Sequence, residues 1–166
     1  MTIAALKYSG EFLNIPDGEV CMAIIEGTVE IKCPPEKVFA YVADAKSWPK
    51  WHSAMRKSEQ TSPGKMGVGA TCQGTNHVMG REMEWSSTII EWEPIKTWRE
   101  NITSGSTQIK EHVTFTPVAG GTKFNLVYDM KVGGFLKLLS PVVFRSMRAE
   151  MKGNLDTLKS ILEKSA

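Results

Sequence analysis

The feature that most constrains the fold is the last thirty or so residues, where apolar side chains recur with the period of a helix. Six of them follow one another at spacings of three and four, which places them on one face of an α-helix. They are Phe144, Met147, Met151, Leu155, Leu158 and Leu162. We predict one helix over residues 134–164, roughly 45 Å long at 1.5 Å per residue. A helix of that length spans a whole curved sheet, and a hollow between the two is a common ligand site.

The segments before this helix alternate between apolar and polar residues, which is the pattern of half-buried strands. The first predicted strand covers residues 22–32 and ends at Pro34 and Pro35, since proline cannot donate to a strand ladder. Two short helices are predicted next, at residues 36–44 and 47–51, the second with Ser47 as its N-cap. Six more strands are predicted at residues 54–60, 70–78, 81–93, 97–103, 107–116 and 122–132.

Length and composition indicate a single globular domain. The chain has 166 residues, of which 42% are hydrophobic, and we predict an N-terminal extension at 1–20 followed by one domain at 21–166. The net charge is +2 without a dense basic block, so nucleic-acid binding is not indicated. Three cysteines, an odd number, predict reduced thiols and a cytoplasmic location. No signal peptide and no transmembrane segment are predicted.

Four segments carry a resemblance to a known superfamily. They are VEIKCPPEKVFAYVADAKSWPKW at 29–51, GKMGVGAT at 64–71, FTPVAGGTKF at 115–124 and FRSMRAEMKGNLDTLKSILE at 144–163. Together with the element order they resemble the START-related, or SRPBCC, helix-grip superfamily, in its polyketide cyclase/dehydrase and lipid-transport branch. Asp44, Trp48 and Trp51 match residues of that family's aspartate-bearing helix and tryptophan-bearing turn.

The resemblance implies an α+β helix-grip (START-like) fold. In that fold a curved antiparallel sheet of about seven strands wraps around a long C-terminal helix, and two short helices follow the first strand. Members of the superfamily include lipid and hormone binders, aromatase/cyclases, small-molecule hydrolases and co-chaperone-like proteins. Because they share no catalytic motif, the resemblance does not fix the function.

If the apolar alternates of the strands face the helix, they line a cavity together with one face of that helix. The methionines would make the lining adaptable, and the tryptophans could stack on a flat ligand. The predicted lining residues are Met83, Trp85, Trp98, Glu100, Glu111, Val113, Tyr128, Met130, Phe144, Met147, Arg148 and Met151.

Glu100 and Glu111 fall on these otherwise apolar stripes, where a carboxylate is costly to bury unless it is paired or protonated. One interpretation makes them polar anchors for a ligand, or a general acid with a raised pKa. The other places them at strand ends or in pairs with Arg148, Arg99 or a hydroxyl group. A shift of one residue in register would turn both to solvent.

Other motifs argue against specific chemistries. The glycine-rich loop at 64–69 precedes a strand rather than a helix, so it is predicted to be a turn and not a phosphate site. His52, His77 and His112 lack the spacing of metal ligands, so neither a metal nor another cofactor is predicted. No Gly-x-Ser-x-Gly motif occurs, and catalytic residues remain unassigned.

Three functional hypotheses follow. The first is a cavity that binds or transports a hydrophobic small molecule such as a lipid, polyketide or isoprenoid. The second is a polyketide cyclase, dehydratase or aromatase, for which Glu100, Glu111, His77, Arg148 and Tyr128 are the groups to test. The third is a peripheral membrane- or partner-docking module acting through the apolar segment 135–144, which could instead cover the cavity mouth. Either a monomer or a homodimer fits the sequence.

Overall fold

The computed structural model describes residues 21–133 and 140–165. Within these ranges the chain forms seven strands, two α-helices and one 3-10 helix, in the order predicted. The strands are β1 (Cys21–Ile31), β2 (Met55–Gln60), β3 (Thr71–Val78), β4 (Arg81–Glu93), β5 (Thr97–Ser104), β6 (Thr107–Val118) and β7 (Gly121–Val132). The helices are α1 (Pro35–Val42), the 3-10 helix (Ala45–Lys50) and α2 (Ser140–Lys164).

The seven strands form one antiparallel sheet in the order β1-β7-β6-β5-β4-β3-β2. From β2 to β7 each strand pairs with the next one along the chain, and the last strand, β7, also pairs with the first, β1. The tight turn between β3 and β4 holds Met79 and Gly80, both with positive φ (51° and 80°), as a type I′ hairpin turn requires. The α+β helix-grip fold predicted from the sequence is therefore confirmed.

Helix α2 packs mainly against β1, and its buried face carries Met151, Leu155, Leu158 and Leu162. The approach is close because Gly27 on β1 has no side chain: a Cβ there would lie 2.6 Å from Leu155 Cδ1 and 2.7 Å from Met151 Cγ. The predicted helical face is thus the packed face. The predicted N-terminal extension (1–20) and the stretch 134–139 lie outside the described residues, so the structure gives α2 from Ser140 onwards.

One predicted detail is wrong. The N-cap of the 3-10 helix is Asp44, not Ser47, since the backbone N–H of Lys46 donates to Asp44 Oδ1 at 3.0 Å. The helix begins at Ala45, so Ser47 lies inside it, where its hydroxyl donates to the Tyr41 carbonyl at 2.6 Å. A short polar side chain can satisfy a backbone group from either position, and the sequence pattern does not separate the two.

Candidate functional site

A cavity of about 130 Å³ lies between the inner face of the sheet and α2. Its wall is mostly apolar and aromatic, with a few polar groups, which is the usual composition of a small-molecule site. The sheet side is formed by Asn76, Trp85, Trp98, Glu100, Ile102, Ser104, Ile109, Glu111, Val113, Phe124, Leu126 and Tyr128. The rest of the wall is formed by Met55 at the start of β2 and by Val42, Trp48, Trp51, His52, Met147, Glu150, Met151 and Asn154.

Four of the five tryptophans line this cavity, and they differ in hydrogen bonding. Trp48 Nε1 donates to the Val42 carbonyl at 2.7 Å, and Trp85 Nε1 donates to Asn76 Oδ1 at 3.1 Å. Trp51 Nε1 is buried without a partner. Trp98 Nε1 lies beside the Glu111 carboxyl without completing an aligned hydrogen bond. Two indole N–H donors at the cavity wall are therefore left without a well-formed bond.

The most unusual polar feature is a pair of adjacent carboxyl groups. Glu100 on β5 lies directly opposite Glu111 on β6, which lies directly opposite Tyr128 on β7. Side chains opposite one another on neighbouring strands have Cβ atoms about 4.5–5.5 Å apart, so the three polar ends converge. Glu100 is 2% exposed and Glu111 is 8% exposed, and Glu100 Oε2 has no hydrogen-bond partner.

Burial and proximity suppress the ionisation of this group. Burial raises the pKa of Glu100. Burial, and then the negative charge of Glu100, raise the pKa of Glu111 well above its usual range. The pKa of Tyr128 is also raised well above its ordinary value, first by burial and then by the two carboxyl groups. None of the described residues lining the cavity is a lysine or an arginine that could neutralise a second carboxylate, so simultaneous ionisation of both carboxyl groups is disfavoured.

A second polar group at the wall joins a loop to α2. The Asn154 side chain accepts a hydrogen bond from the Ser53 backbone N–H at 2.9 Å, and its amide nitrogen lies 3.3 Å from His52 Nδ1. Burial lowers the pKa of His52 to about 4. The imidazole therefore faces the cavity in its neutral form.

The structure brings most of the predicted lining residues together at the cavity wall. Those that line it are Trp85, Trp98, Glu100, Glu111, Val113, Tyr128, Met147 and Met151. Both glutamates point inward, because they alternate in step with the buried Trp98 and Val113.

Four predicted lining residues lie elsewhere. Arg148 is exposed, since it directly follows Met147 and a step of one residue turns about 100° around a helix. Met130 is on the inward stripe but is packed in the core at 2% exposure, opposite Ala23 and Ile109. Met83 is half-buried on β4, and Phe144 is half-buried against the core near the start of α2.

Sequence reasoning missed several wall residues, among them His52, Asn76, Glu150 and Asn154. The sequence could have predicted that Asn154 faces inward, because this polar residue lies three positions after Met151 and one before Leu155 on the buried helical face. The spacing of the histidines bears only on metal binding and gives no sign that His52 lies at a cavity wall. Within the described ranges, no cluster of three or more His, Cys, Asp or Glu residues could hold a metal ion.

The described helices include none with the length and apolar character needed to cross a membrane. Of the predicted docking segment 135–144, residues 135–139 lie outside the described part of the chain. In the remainder, Ser140 is buried and Val142 is 64% exposed.

Comparison with known proteins gives a consistent result. The family described as polyketide cyclase / dehydrase and lipid transport matches residues 22–163. An uncharacterised protein of Mycobacterium tuberculosis is 25% identical over 133 residues, which cover 76% of this chain and 77% of that protein. Among solved structures, a START superfamily protein from Mycobacterium smegmatis superposes with a TM-score of 0.73 at 12% identity, over 86% of this chain and 99% of that one. The Zhui aromatase/cyclase from Streptomyces sp. R1128 superposes with a TM-score of 0.69 at 17% identity, over 87% and 95% of the two chains.

Proposed function

The chain belongs to the polyketide cyclase / dehydrase and lipid transport family, and from that premise we propose that it binds a small hydrophobic molecule in the cavity between the sheet and α2. The observation that carries the proposal is the wall itself, which is aromatic and aliphatic except for a few converging polar groups. Such a lining is typical of small-molecule sites. The apolar part of the wall supplies affinity, and the polar groups orient the ligand.

The cavity volume limits how large the ligand can be. An engineered cavity of about 150 Å³ in another protein binds benzene, and this one measures about 130 Å³. Sites for larger molecules usually enclose about 300–1,000 Å³. We therefore propose a compact ligand on the scale of one ring in this state of the protein, rather than a full-length lipid, polyketide or isoprenoid chain.

Binding is tested with a neutral one-ring probe and a matched pair of variants. α-Methylstyrene is titrated into ¹⁵N-labelled protein, and the dissociation constant is read from backbone and indole N–H shifts. Val113→Phe enlarges a buried wall residue, whereas Val68→Phe makes the same change at a residue that is 69% exposed. We expect the wild type and Val68→Phe to bind equally, and Val113→Phe to bind at least about tenfold more weakly because the added ring occupies the cavity.

Two results count against the proposal. One is a wild-type protein that neither binds the probe nor releases any compound on denaturing extraction followed by mass spectrometry. The other is equal binding by Val113→Phe and the wild type, which would place the probe outside the cavity. Variant folding is checked from the dispersion of the same spectra.

A second candidate function is a cyclase- or dehydratase-type enzyme, and the Glu100–Glu111 pair favours it. Groups with raised pKa values in a cavity are suited to proton transfer near neutral pH. Such enzymes remove a proton next to a carbonyl group, so the test is exchange of the methyl protons of acetophenone in D₂O. Faster exchange with the wild type than with Glu100→Gln or Glu111→Gln would support an enzymatic function. Equal exchange rates with all three proteins would rule this candidate function out.

A further inference from the structure

The Glu100–Glu111 pair defines what kind of ligand the cavity accepts. We propose that this pair selects a neutral ligand carrying a carbonyl oxygen and rejects anionic ligands of the same size. The inference rests on the proposed binding function and adds to it the chemical class of the ligand. The observations behind it are the direct opposition of the two side chains, the unpartnered Glu100 Oε2 and the charges along the cavity wall.

The first step concerns hydrogen-bond donors. Two buried carboxyl groups side by side cannot both ionise, so one carries a proton and becomes an O–H donor. Glu100 lies within hydrogen-bonding reach of Ser87 and Glu111, but its Oε2 atom completes no bond, and the same wall holds Trp51 Nε1, a buried donor without a partner. A buried donor without an acceptor is costly. A ligand oxygen with free lone pairs is the group that would satisfy such donors.

The second step concerns charge. Glu150 adds a third carboxyl group to the wall, none of the described wall residues is a lysine or an arginine, and the wall histidine, His52, is neutral because burial lowers its pKa to about 4. Arg99 and Lys110 adjoin the pair in sequence, but alternation along β5 and β6 turns their side chains to the opposite face of the sheet. A carboxylate ligand would therefore be buried beside acidic groups without a counter-ion, which is strongly unfavourable.

Three probes of nearly identical size and shape separate these effects. They are acetophenone, which carries the carbonyl oxygen; α-methylstyrene, in which a CH₂ group replaces that oxygen; and benzoate, which is anionic. The dissociation constants are measured by NMR titration of the wild-type protein at pH 7. We expect acetophenone to bind about fivefold more tightly than α-methylstyrene, the gain from roughly one net hydrogen bond. Benzoate should bind at least about tenfold more weakly than acetophenone.

A pH series tests whether the donor is the shared proton. In the wild type, the preference for acetophenone over α-methylstyrene should shrink as the pH rises and the pair ionises. The double variant Glu100→Gln/Glu111→Gln should keep this preference, because an amide donates a hydrogen bond at every pH. Other titratable groups near the pair are Tyr128 on β7, Cys72 on β3, Glu150 on α2 and His52 in the loop before β2. They are unchanged in the double variant and so serve as an internal control.

The outcomes separate this inference from the proposed function. If α-methylstyrene binds as tightly as acetophenone, or if benzoate binds most tightly, the inference is overturned while binding in the cavity stands. If none of the three probes binds the wild type, the proposed function fails for ligands of this size and the inference fails with it. If the double variant does not fold, the wild-type probe series and its pH dependence still decide the inference.

Discussion

Acidification should destabilise this protein through one histidine at the cavity wall, His52. The backbone N–H of Ser53 donates to Asn154 Oδ1 at 2.9 Å, which fixes the orientation of the Asn154 amide. The NH₂ group of Asn154 then faces His52 Nδ1 at 3.3 Å. Because that NH₂ group can only donate, His52 Nδ1 must accept and therefore carries no proton. Protonation of His52 would break this arrangement and place a charge inside the wall.

The size of the effect follows from the displaced pKa. Burial lowers the pKa of His52 from 6.5 to about 4. The unfolded chain therefore takes up a proton at a higher pH than the folded protein, so the stabilisation is complete above pH 6.5 and is lost as the pH falls toward 4. The whole displacement corresponds to roughly 3 kcal/mol at about 1.4 kcal/mol per pH unit. Between pH 7.5 and 5 the loss of unfolding free energy should be about 2 kcal/mol.

Urea denaturation of three proteins at pH 7.5 and pH 5 provides the assay. The proteins are the wild type, His52→Gln and His77→Gln, the last being a matched control because His77 is exposed. We expect His52→Gln to lose about 2 kcal/mol of the pH dependence that the wild type shows, and His77→Gln to retain all of it. NMR titration of the imidazole signals measures the pKa of His52 directly. A His52 midpoint near 6.5, or an unchanged pH dependence in His52→Gln, would refute the reasoning.

Three further predictions concern other buried positions. Gly27→Ala should reduce the unfolding free energy by about 1–3 kcal/mol, because the added Cβ would overlap Met151. Gly153→Ala is the control at an open helical position and should raise the unfolding free energy by about 1 kcal/mol. Urea denaturation measures both changes. Glu111→Gln should become more stable relative to the wild type as the pH rises above about 4.5. Burial and the charge of Glu100 raise the pKa of the wild-type carboxyl group, so its ionisation at higher pH opposes folding. Denaturation of both proteins between about pH 4.5 and 8 measures the difference in unfolding free energy, which would stay constant if the carboxyl group were solvated. Burial and the nearby Glu100 raise the pKa of Cys72 to about 12, so iodoacetamide at pH 8 should label it far more slowly in native than in urea-unfolded protein.

The inward direction of the two glutamates could be predicted from the sequence because strand periodicity is local. Glu100 lies two residues after Trp98, and Glu111 lies two residues before Val113, so each shares a face with a large apolar residue that must be buried. The same periodicity argues against pairing with Arg99, which is one of the partners considered from the sequence, because Arg99 directly precedes Glu100 on β5 and so lies on the other face. What alternation does not supply is the register between strands, and it is the register that sets Glu100 opposite Glu111 and Glu111 opposite Tyr128.

Other parts of the site depend on contacts between distant segments. His52 and Asn154 lie about a hundred positions apart, and no local pattern pairs them. Arg148 is predicted from the sequence to lie at the cavity, but it lies off the apolar helical stripe and is exposed to solvent. Met130 was placed at the cavity because it lies on an inward stripe, yet that stripe continues beyond the cavity into the solid core. Periodicity predicts which face a residue occupies, and it does not predict where along that face a hollow occurs.

The location of the hollow follows from where α2 rests on the sheet. Gly27 lets the helix approach β1, the strand at one edge, so Met151 and Leu155 are in close contact there. Strands β5 and β6 lie further along the sheet and are not packed closely by α2, and these strands carry the two carboxyl groups. Glu100 is thereby removed from water without gaining a hydrogen-bond partner for Oε2 from the helix. The fold thus buries Glu100 with one oxygen unsatisfied, and a ligand that forms a hydrogen bond with Oε2 would recover part of the free energy lost in that burial.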